Sequence, residues 1–235
     1  MSLYDKWQQI ERPVRADGFN SWREAGIGHG LTGREEQPDL PPELAGVHQV
    51  HGTRLVDAAD CAGQAPEADG IFSADPAVPV GVKTADCLPV LLSSDAGVMA
   101  VHAGWRGLAA GIVGLSLDFL LSRGANPASI RVGLGPCIGP GAFETGPEVP
   151  EAIINGPLQP SAEEQGWFLF PGRQDRWHVD LAVAAALHLF HGGLEPGALM
   201  MMRSCTRDPR EGWHSYRRDG TGAGRNYSWI RPQRR

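Results

Sequence analysis

The chain has 235 residues, of which 42% are hydrophobic and 20% are charged. This composition is ordinary for a globular protein and excludes a disordered chain. The net charge of −6 argues against a protein that coats nucleic acid, and no apolar run is long enough to cross a membrane. The N-terminus is polar and does not resemble a signal peptide, so we expect a soluble cytoplasmic protein with one domain over residues 1–235.

The first 46 residues show little periodicity, and the segment 33–46 is polar and rich in proline, as in a connection. From residue 47 onward, short apolar runs alternate with Gly, Asp and Pro, which is the pattern of buried strands. The predicted strands are 47–50, 54–57, 79–83, 88–93 and 97–102. Four scattered cysteines in a chain without an export signal are expected to be free thiols.

Two helices are predicted after the segment 101–107. The first rests on four apolar residues at helical spacing, which would form one stripe: Leu108, Ile112, Leu115 and Phe119. The second covers residues 180–191, with Asp180 as its N-cap. Further strands are predicted at 130–134 and, as a final pair, at 198–203 and 226–230. Because the strands arrive mainly in a block, we predict an α+β fold with a mixed β-sheet core and flanking helices.

Three short segments at predicted strand ends carry reactive side chains, at 48–52, 84–88 and 101–107. From them, His51, Cys87 and His102 offer two imidazoles and one thiolate. Such a set can hold Zn²⁺ and leave the fourth coordination position open, as in catalytic zinc sites. Spacing alone leaves a second interpretation open, because a lone cysteine is often a small buried residue and a histidine is often structural.

Arginines and a tyrosine near these segments are candidates for anion binding. Arg106 could make bidentate contacts to phosphate or pair with a carboxylate. Arg217 and Arg218 form a second cationic cluster, and Tyr216 could donate a hydrogen bond or be a buried aromatic. The sequence does not choose between these alternatives.

Three further residues have both a chemical and a structural interpretation. Asp86 could orient a metal-bound histidine, although strand alternation points it away from Cys87. Glu144 is a candidate general acid or base, and a surface ion pair is its more frequent role. Cys137, in the turn GPCIGP, could lie near the site or be incidental to the turn.

Five motifs occur in a fixed order along the chain: HQVHG, TADCLPVLL, VHAGWRG, GPCIGP followed by FE, and SYRRDGTGAGR. Together they resemble the YfiH family, also called laccase-domain or multicopper polyphenol oxidase proteins, over roughly residues 46–230. The resemblance implies a YfiH/CNF-like fold of the cysteine-hydrolase type. It also implies a single zinc ion on His51, Cys87 and His102. From the chemistry of the side chains in these motifs, we predict catalysis at Cys87, His102 and Arg106, and substrate or phosphate binding at Arg106, Tyr216, Arg217 and Arg218.

The resemblance implies an enzyme that phosphorolyses adenosine, inosine and 5′-methylthioadenosine and that could deaminate adenosine. A purine nucleoside and phosphate are therefore the expected partners, whereas the oligomeric state is not predicted. The family is also linked to peptidoglycan editing, which leaves an amidase with Cys87 as nucleophile and His102 as base as an alternative. A non-catalytic metal-binding module is the third possibility.

Two features limit what the resemblance carries over. Copper is less expected than zinc, because a multicopper oxidase needs many His ligands and this chain has eight histidines in all. The N-terminal region is shortened relative to the family, since only residues 28–34 stand where a longer SLNLG-containing run is usual. We therefore expect the metal site to be kept and the substrate to be less securely implied.

Overall fold

Two adjacent strands at the centre of the sequence form the middle of the fold: β5 (Leu88–Ser94) and β6 (Gly97–Ala103). They pair antiparallel in the computed structural model, which describes residues 19–34, 40–61 and 63–232. Side chains on both faces of this hairpin are buried, which requires a layer on each side of the sheet.

The hairpin lies within a mixed six-stranded sheet of order β11-β7-β5-β6-β3-β2. Its other strands are β2 (Leu55–Asp57), β3 (Gly70–Ser73), β7 (Arg131–Leu134) and β11 (Leu199–Met201). β11 runs parallel to β7, and β2 runs parallel to β3, whereas the central pairings are antiparallel. The predicted mixed sheet is confirmed.

Two smaller antiparallel sheets accompany the large one. The first joins β1 (Gly28–Thr32), β12 (Asn226–Arg231) and β4 (Val80–Thr84), with β12 in the middle. The second joins β8 (Glu144–Thr145), β10 (Trp177–Val179) and β9 (Leu169–Pro171).

The core is divided by the large sheet into two layers. Val90 and Met99 pack with the helices on one face, and Leu91 and Ala100 pack with β4 and β12 on the other. The helices are α1 (Asn20–Glu24), α2 (Trp105–Ala109), α3 (Ile112–Ser122), α4 (Glu148–Asn155), α5 (Ala162–Phe168), α6 (Leu181–His191) and α7 (Tyr216–Asp219). Within the described ranges, no helix has the length and apolar character needed to cross a membrane.

Several predicted elements are confirmed with small shifts of their ends. β4, β5, β6 and β7 lie where short apolar runs stand between turn residues. In α6 the predicted N-cap is present, because the Asp180 carboxylate accepts a hydrogen bond from the Val183 N–H at 3.1 Å. The four cysteines are all free thiols, as predicted.

Other predictions are wrong, each for a physical reason. Residues 47–50 form no strand, since they belong to a loop held by side-chain hydrogen bonds. The predicted helix over 108–119 is two helices, because Gly111 adopts φ 88° between α2 and α3. Leu115 is 44% exposed, so it does not belong to the buried apolar face. The last two predicted strands do not pair with each other: β11 joins β7 in the large sheet, and β12 joins β1 and β4.

Candidate metal centre

The large sheet brings the three predicted ligands together. His102 lies near the end of β6, and Cys87 directly precedes β5 beside it, because Leu88 pairs with Ala103. His51 comes from the loop before β2. Their possible ligand atoms all lie within 4.8 Å of one another, and the two imidazole rings are perpendicular, with centroids 4.8 Å apart.

Gly104 makes this close approach possible. A Cβ atom at this position would lie 3.0 Å from His51 Cδ2, 3.2 Å from Cys87 Sγ and 3.6 Å from His102 Cε1. The glycine therefore stands against all three candidate ligands and leaves them room to converge. It is also the N-cap of α2, with φ −67° and ψ 161°, a conformation that any residue can adopt.

Asp69 positions two of the three ligands, and sequence analysis did not single it out. One of its carboxylate oxygens lies 2.8 Å from His102 Nδ1, so Nε2 is the ring nitrogen left for a metal. The same carboxylate accepts hydrogen bonds from the backbone N–H groups of Val50, His51 and Gly52. Asp69 is fully buried, and it holds the His51 loop in a conformation with φ 61° at His51.

The same contacts shift the pKa values of the cluster. Burial by itself raises the pKa of the Cys87 thiol, but the hydrogen bonds and charges of His102 and His51 bring it down to about 7. Burial opposes the charged form of His102, yet the hydrogen bonds to Asp69 and Cys87 raise its pKa to about 9. A thiolate is the form of cysteine that binds a metal, and the neighbouring histidines favour it.

Asp86 has a different role from the one considered for it. Its two carboxylate oxygens accept hydrogen bonds from the Thr206 hydroxyl and the Arg217 backbone N–H, each at 2.6 Å. Asp86 therefore ties the C-terminal segment to the Cys87 loop and orients no candidate ligand directly. Asp69 has the orienting role that the sequence analysis considered for Asp86.

A cavity of about 640 Å³ opens over the cluster and has a basic lining. Four cationic side chains contribute to it: Lys83, Arg106, Arg217 and Arg225. The acidic residue in the lining is Asp86, whose carboxylate is already hydrogen-bonded. An anionic group is therefore favoured in this cavity.

The predicted substrate residues are distributed unevenly around this cavity. The Arg106 guanidinium stacks on the Trp105 ring at 4.4 Å, and the Arg217 guanidinium lies 5.4 Å from the Phe143 ring centroid. Tyr216 is 56% exposed in the lining, which fits no buried-aromatic role. Arg218 points elsewhere, since its guanidinium donates to Asp219 and to the backbone carbonyls of Thr206, Arg207 and Trp213.

Two other candidates prove structural. Glu144 forms an ion pair with Arg173 at 2.9 Å, and this partner lowers the pKa of its carboxyl to about 2. A carboxylate held so firmly ionised is a poor general acid. Cys137 is buried and forms an isolated β-bridge with Cys205, and burial raises the pKa of its thiol. The sequence analysis did not single out Lys83 or Arg225, although Lys83 directly precedes the segment 84–88 and Arg225 ends the motif SYRRDGTGAGR.

Comparison with known proteins identifies the family. The profile of the family described as multi-copper polyphenol oxidoreductase laccase matches residues 34–233. The chain belongs to this family. It is 37% identical over 194 residues to the purine nucleoside phosphorylase YfiH of Shigella flexneri, covering 82% of this chain and 75% of that protein. It is 31% identical over 164 residues to the adenosine deaminase RL5 of an unknown prokaryote, covering 64% of this chain and 57% of RL5.

Solved structures of laccase-family proteins share the fold. The YfiH protein of Bacillus licheniformis superposes with a TM-score of 0.81 at 23% identity, covering 92% of this chain and 96% of that one. A Neisseria meningitidis protein superposes with a TM-score of 0.71 at 32% identity, covering 92% of this chain and 79% of that one. The arrangement of sheets and helices described above is therefore that of the family.

Proposed function

We propose that this laccase-family chain is a zinc-dependent purine nucleoside phosphorylase. The observation that carries the proposal is the His51, Cys87 and His102 cluster at the base of a basic cavity. Relatives that are at least 30% identical and carry the name purine nucleoside phosphorylase support the choice of reaction. Adenosine, inosine and 5′-methylthioadenosine are the substrates that the resemblance to the YfiH family implies.

The donor set fits a zinc ion. Two imidazole nitrogens and one thiolate are ligands that Zn²⁺ prefers, and three protein ligands leave one coordination position open. The Asp69 contact to His102 Nδ1 is the kind of support that metal-binding histidines usually have. When bound, zinc supplies a Lewis acid that polarises a substrate atom placed against it.

The basic cavity supplies the binding of phosphate. In phosphorolysis, a phosphate oxygen forms a bond to the anomeric carbon while the bond from that carbon to the purine nitrogen breaks. The departing purine nitrogen takes up the proton that hydrogen phosphate brings, and the sugar 1-phosphate is formed, which is ribose 1-phosphate for adenosine and inosine and 5-methylthioribose 1-phosphate for 5′-methylthioadenosine. Arg106 and Arg217 are our choice for holding the phosphate, because a guanidinium makes bidentate hydrogen bonds to such oxygens. Both guanidiniums are held against aromatic rings, which limits the entropy lost on binding.

The exposed Tyr216 side chain is assigned to the nucleoside. Its hydroxyl has access to the same cavity as Arg217 and can donate a hydrogen bond to the sugar or base. Arg218 is left out of the substrate site, since its donors are engaged by Asp219 and by backbone carbonyls. Deamination of adenosine at the same cluster is a further proposed activity, and the name of the RL5 relative supports it.

A second candidate function rests on the chain Cys87, His102 and Asp69. A thiol beside an imidazole whose other nitrogen contacts a carboxylate is the arrangement of a cysteine hydrolase. This arrangement would serve an amidase acting on a peptidoglycan precursor and would match the cysteine-hydrolase label of the fold. Zinc and the nucleophilic role compete for the same sulfur, so the two functions are distinguishable.

The deciding experiment is a chromatographic assay of zinc-loaded protein with adenosine, inosine and 5′-methylthioadenosine, each with and without phosphate. We expect release of free base only when phosphate is present. His51→Ala, Cys87→Ala and His102→Ala should each lose bound zinc and turnover, whereas Cys61→Ala should keep both, because Cys61 lies outside the cluster.

Other outcomes of this assay point to the alternatives. Inosine formed from adenosine without phosphate would establish the deaminase. Hydrolysis of a muropeptide by metal-free protein, blocked by iodoacetamide, would replace the phosphorylase with the amidase. Stoichiometric zinc without turnover of any of these substrates would leave a metal-binding module.

A further inference from the structure

A second cavity, with a volume of about 750 Å³, lies on the other side of the loop that follows β7. Its walls come from three segments: residues 137–142 after β7, the start of α6, and residues 203–210 after β11. β7 and β11 are parallel, and the segments 137–142 and 203–210 follow the carboxyl ends of these two strands. Crevices outside the carboxyl ends of parallel strands are where ligands bind in such sheets.

The walls of this crevice differ in character. The lining includes four apolar residues: Ile138, Pro140, Ala142 and Ala182. It also includes three arginines and two aspartates: Arg203, Arg207, Arg210, Asp180 and Asp208. A large cavity with mostly apolar walls and a few convergent polar groups is the usual form of a small-molecule site. The excess positive charge favours an anion.

The three arginines are not equally available. Arg210 is held by both carboxylate oxygens of Asp208, at 3.0 and 2.6 Å. Arg203 donates to Asp180 at 3.0 Å and to the Met201 sulfur at 3.4 Å, and further donors remain, since a guanidinium has five. Within the described part of the chain, the Arg207 side chain has no hydrogen-bond or ion-pair partner.

We propose that this crevice binds a small organic anion that carries a flat ring. Arg207 holds the anionic group with help from Arg203, and the ring lies against Ile138 and Pro140. The anionic group is a carboxylate on an aromatic acid or the phosphate of a nucleoside monophosphate. The site is separate from the candidate metal centre and does not depend on the reaction proposed there.

The crevice and the metal-centre cavity share one wall. Ile138 lines both, and its backbone N–H donates a hydrogen bond to the carbonyl of Asp86, the neighbour of Cys87. A test must therefore separate binding in the crevice from binding over the metal centre. Arg207 and Arg106 provide that separation, because each lines a different one of these two cavities.

The test is calorimetric titration of the full chain with adenosine 5′-monophosphate and, separately, with 4-hydroxybenzoate. We expect saturable binding of one equivalent of at least one of them. Arg207→Gln should weaken the binding in the crevice at least tenfold, and the matched variant Arg106→Gln should change that binding less than twofold and weaken only an equivalent bound over the metal centre. Binding of the monophosphate alone identifies a phosphate ligand, and binding of the benzoate alone identifies a carboxylate ligand.

A second variant fills the crevice instead of removing its charge. Gly141 lines the crevice, and a Cβ there meets no atom within 4 Å, so Gly141→Phe adds a ring at the crevice lining without a backbone clash. It should abolish binding, whereas Gly197→Phe, equally open but outside the crevice, should not. Circular dichroism checks that each variant is folded. Absence of saturable binding at millimolar concentrations, or binding lost in Arg106→Gln and kept in Arg207→Gln, overturns the proposal.

Discussion

The carboxylate of Asp69 lies 2.8 Å from Nδ1 of His102 and also accepts a backbone hydrogen bond from His51 at 2.9 Å. A single buried side chain thus sets the orientation of one candidate ligand and the loop of another. The third ligand, Cys87, is positioned separately by the start of β5.

Asp69→Asn tests this positioning role. The amide keeps the size of the side chain but loses the negative charge and one acceptor, so zinc affinity should fall about 10- to 100-fold. Zinc retention during titration with a chelator measures the effect. Asp86→Asn is the matched control and should retain zinc like the unchanged protein, because Asp86 contacts Thr206 and Arg217. Equal losses in both variants would contradict the role assigned to Asp69.

Gly104→Ala should weaken the metal centre with little effect on folding. Its Cβ would lie 3.0 Å from His51 and 3.2 Å from Cys87, so the ligands must move apart. We expect about a tenfold loss of zinc affinity, because metal sites bind less tightly when their ligands are displaced by small distances. The backbone conformation is allowed for alanine, and the thermal unfolding midpoint of the metal-free protein should change little. Undiminished zinc binding would show that the ligands can adjust.

Gly111 and Gly114 should respond in opposite directions to replacement by alanine. Gly111 has φ 88°, and a Cβ there would lie 3.1 Å from Pro157, so Gly111→Ala should cost about 1–3 kcal/mol of unfolding free energy. Gly114 lies inside α3 with its nearest contact at 3.8 Å, so Gly114→Ala should stabilise by about 0.5–1 kcal/mol. Urea unfolding of both variants measures the difference. If both variants were more stable than the unchanged protein, the left-handed conformation at Gly111 between α2 and α3 would not be required for stability.

The buried His188 predicts a loss of stability in mild acid. Burial lowers the pKa of its imidazole to about 4, from 6.5 in an unfolded chain. Between these values the unfolded state binds more protons, so stability falls as the pH drops from 6.5 towards 4. This group alone should cost about 2 kcal/mol between pH 7 and pH 5.

The check is urea unfolding at pH 7 and pH 5, with His188→Phe beside the unchanged protein. The aromatic replacement cannot take up a proton, so its stability should fall about 2 kcal/mol less over this interval. Part of the pH dependence should persist, because burial also lowers the pKa of His29. The same decrease in both proteins would assign the acid sensitivity to other groups.

The sequence predicted those parts of the fold and site that depend on local pattern. β5 and β6 are apolar runs between turn residues, and α6 has an aspartate cap and a glycine stop. The three candidate ligands stand at the ends of such strands, and the resemblance to the YfiH family, rather than their spacing, implied that they form one site.

The remainder depends on contacts between distant segments. Asp69 precedes β3 and meets His102 only through the pairing of β3 with β6, so no local motif marks it. β1 contains two glycines in five residues and is a strand because β12 pairs with it. The break at Gly111 did have a local signal, since an isolated glycine within a helical pattern weakens the prediction of a continuous helix.

The pairing of β1 with β12 has a consequence for folding kinetics. In this sheet the backbone N–H of Tyr227 donates to the Thr32 hydroxyl, across 195 residues of sequence. Closing so long a loop costs entropy before the contact is gained, and folds rich in such distant pairings form slowly. Until β12 docks, the face of the large sheet that contains Leu91 and Ala100 lacks its cover. We therefore expect aggregation to compete with refolding at high protein concentration, through this apolar face.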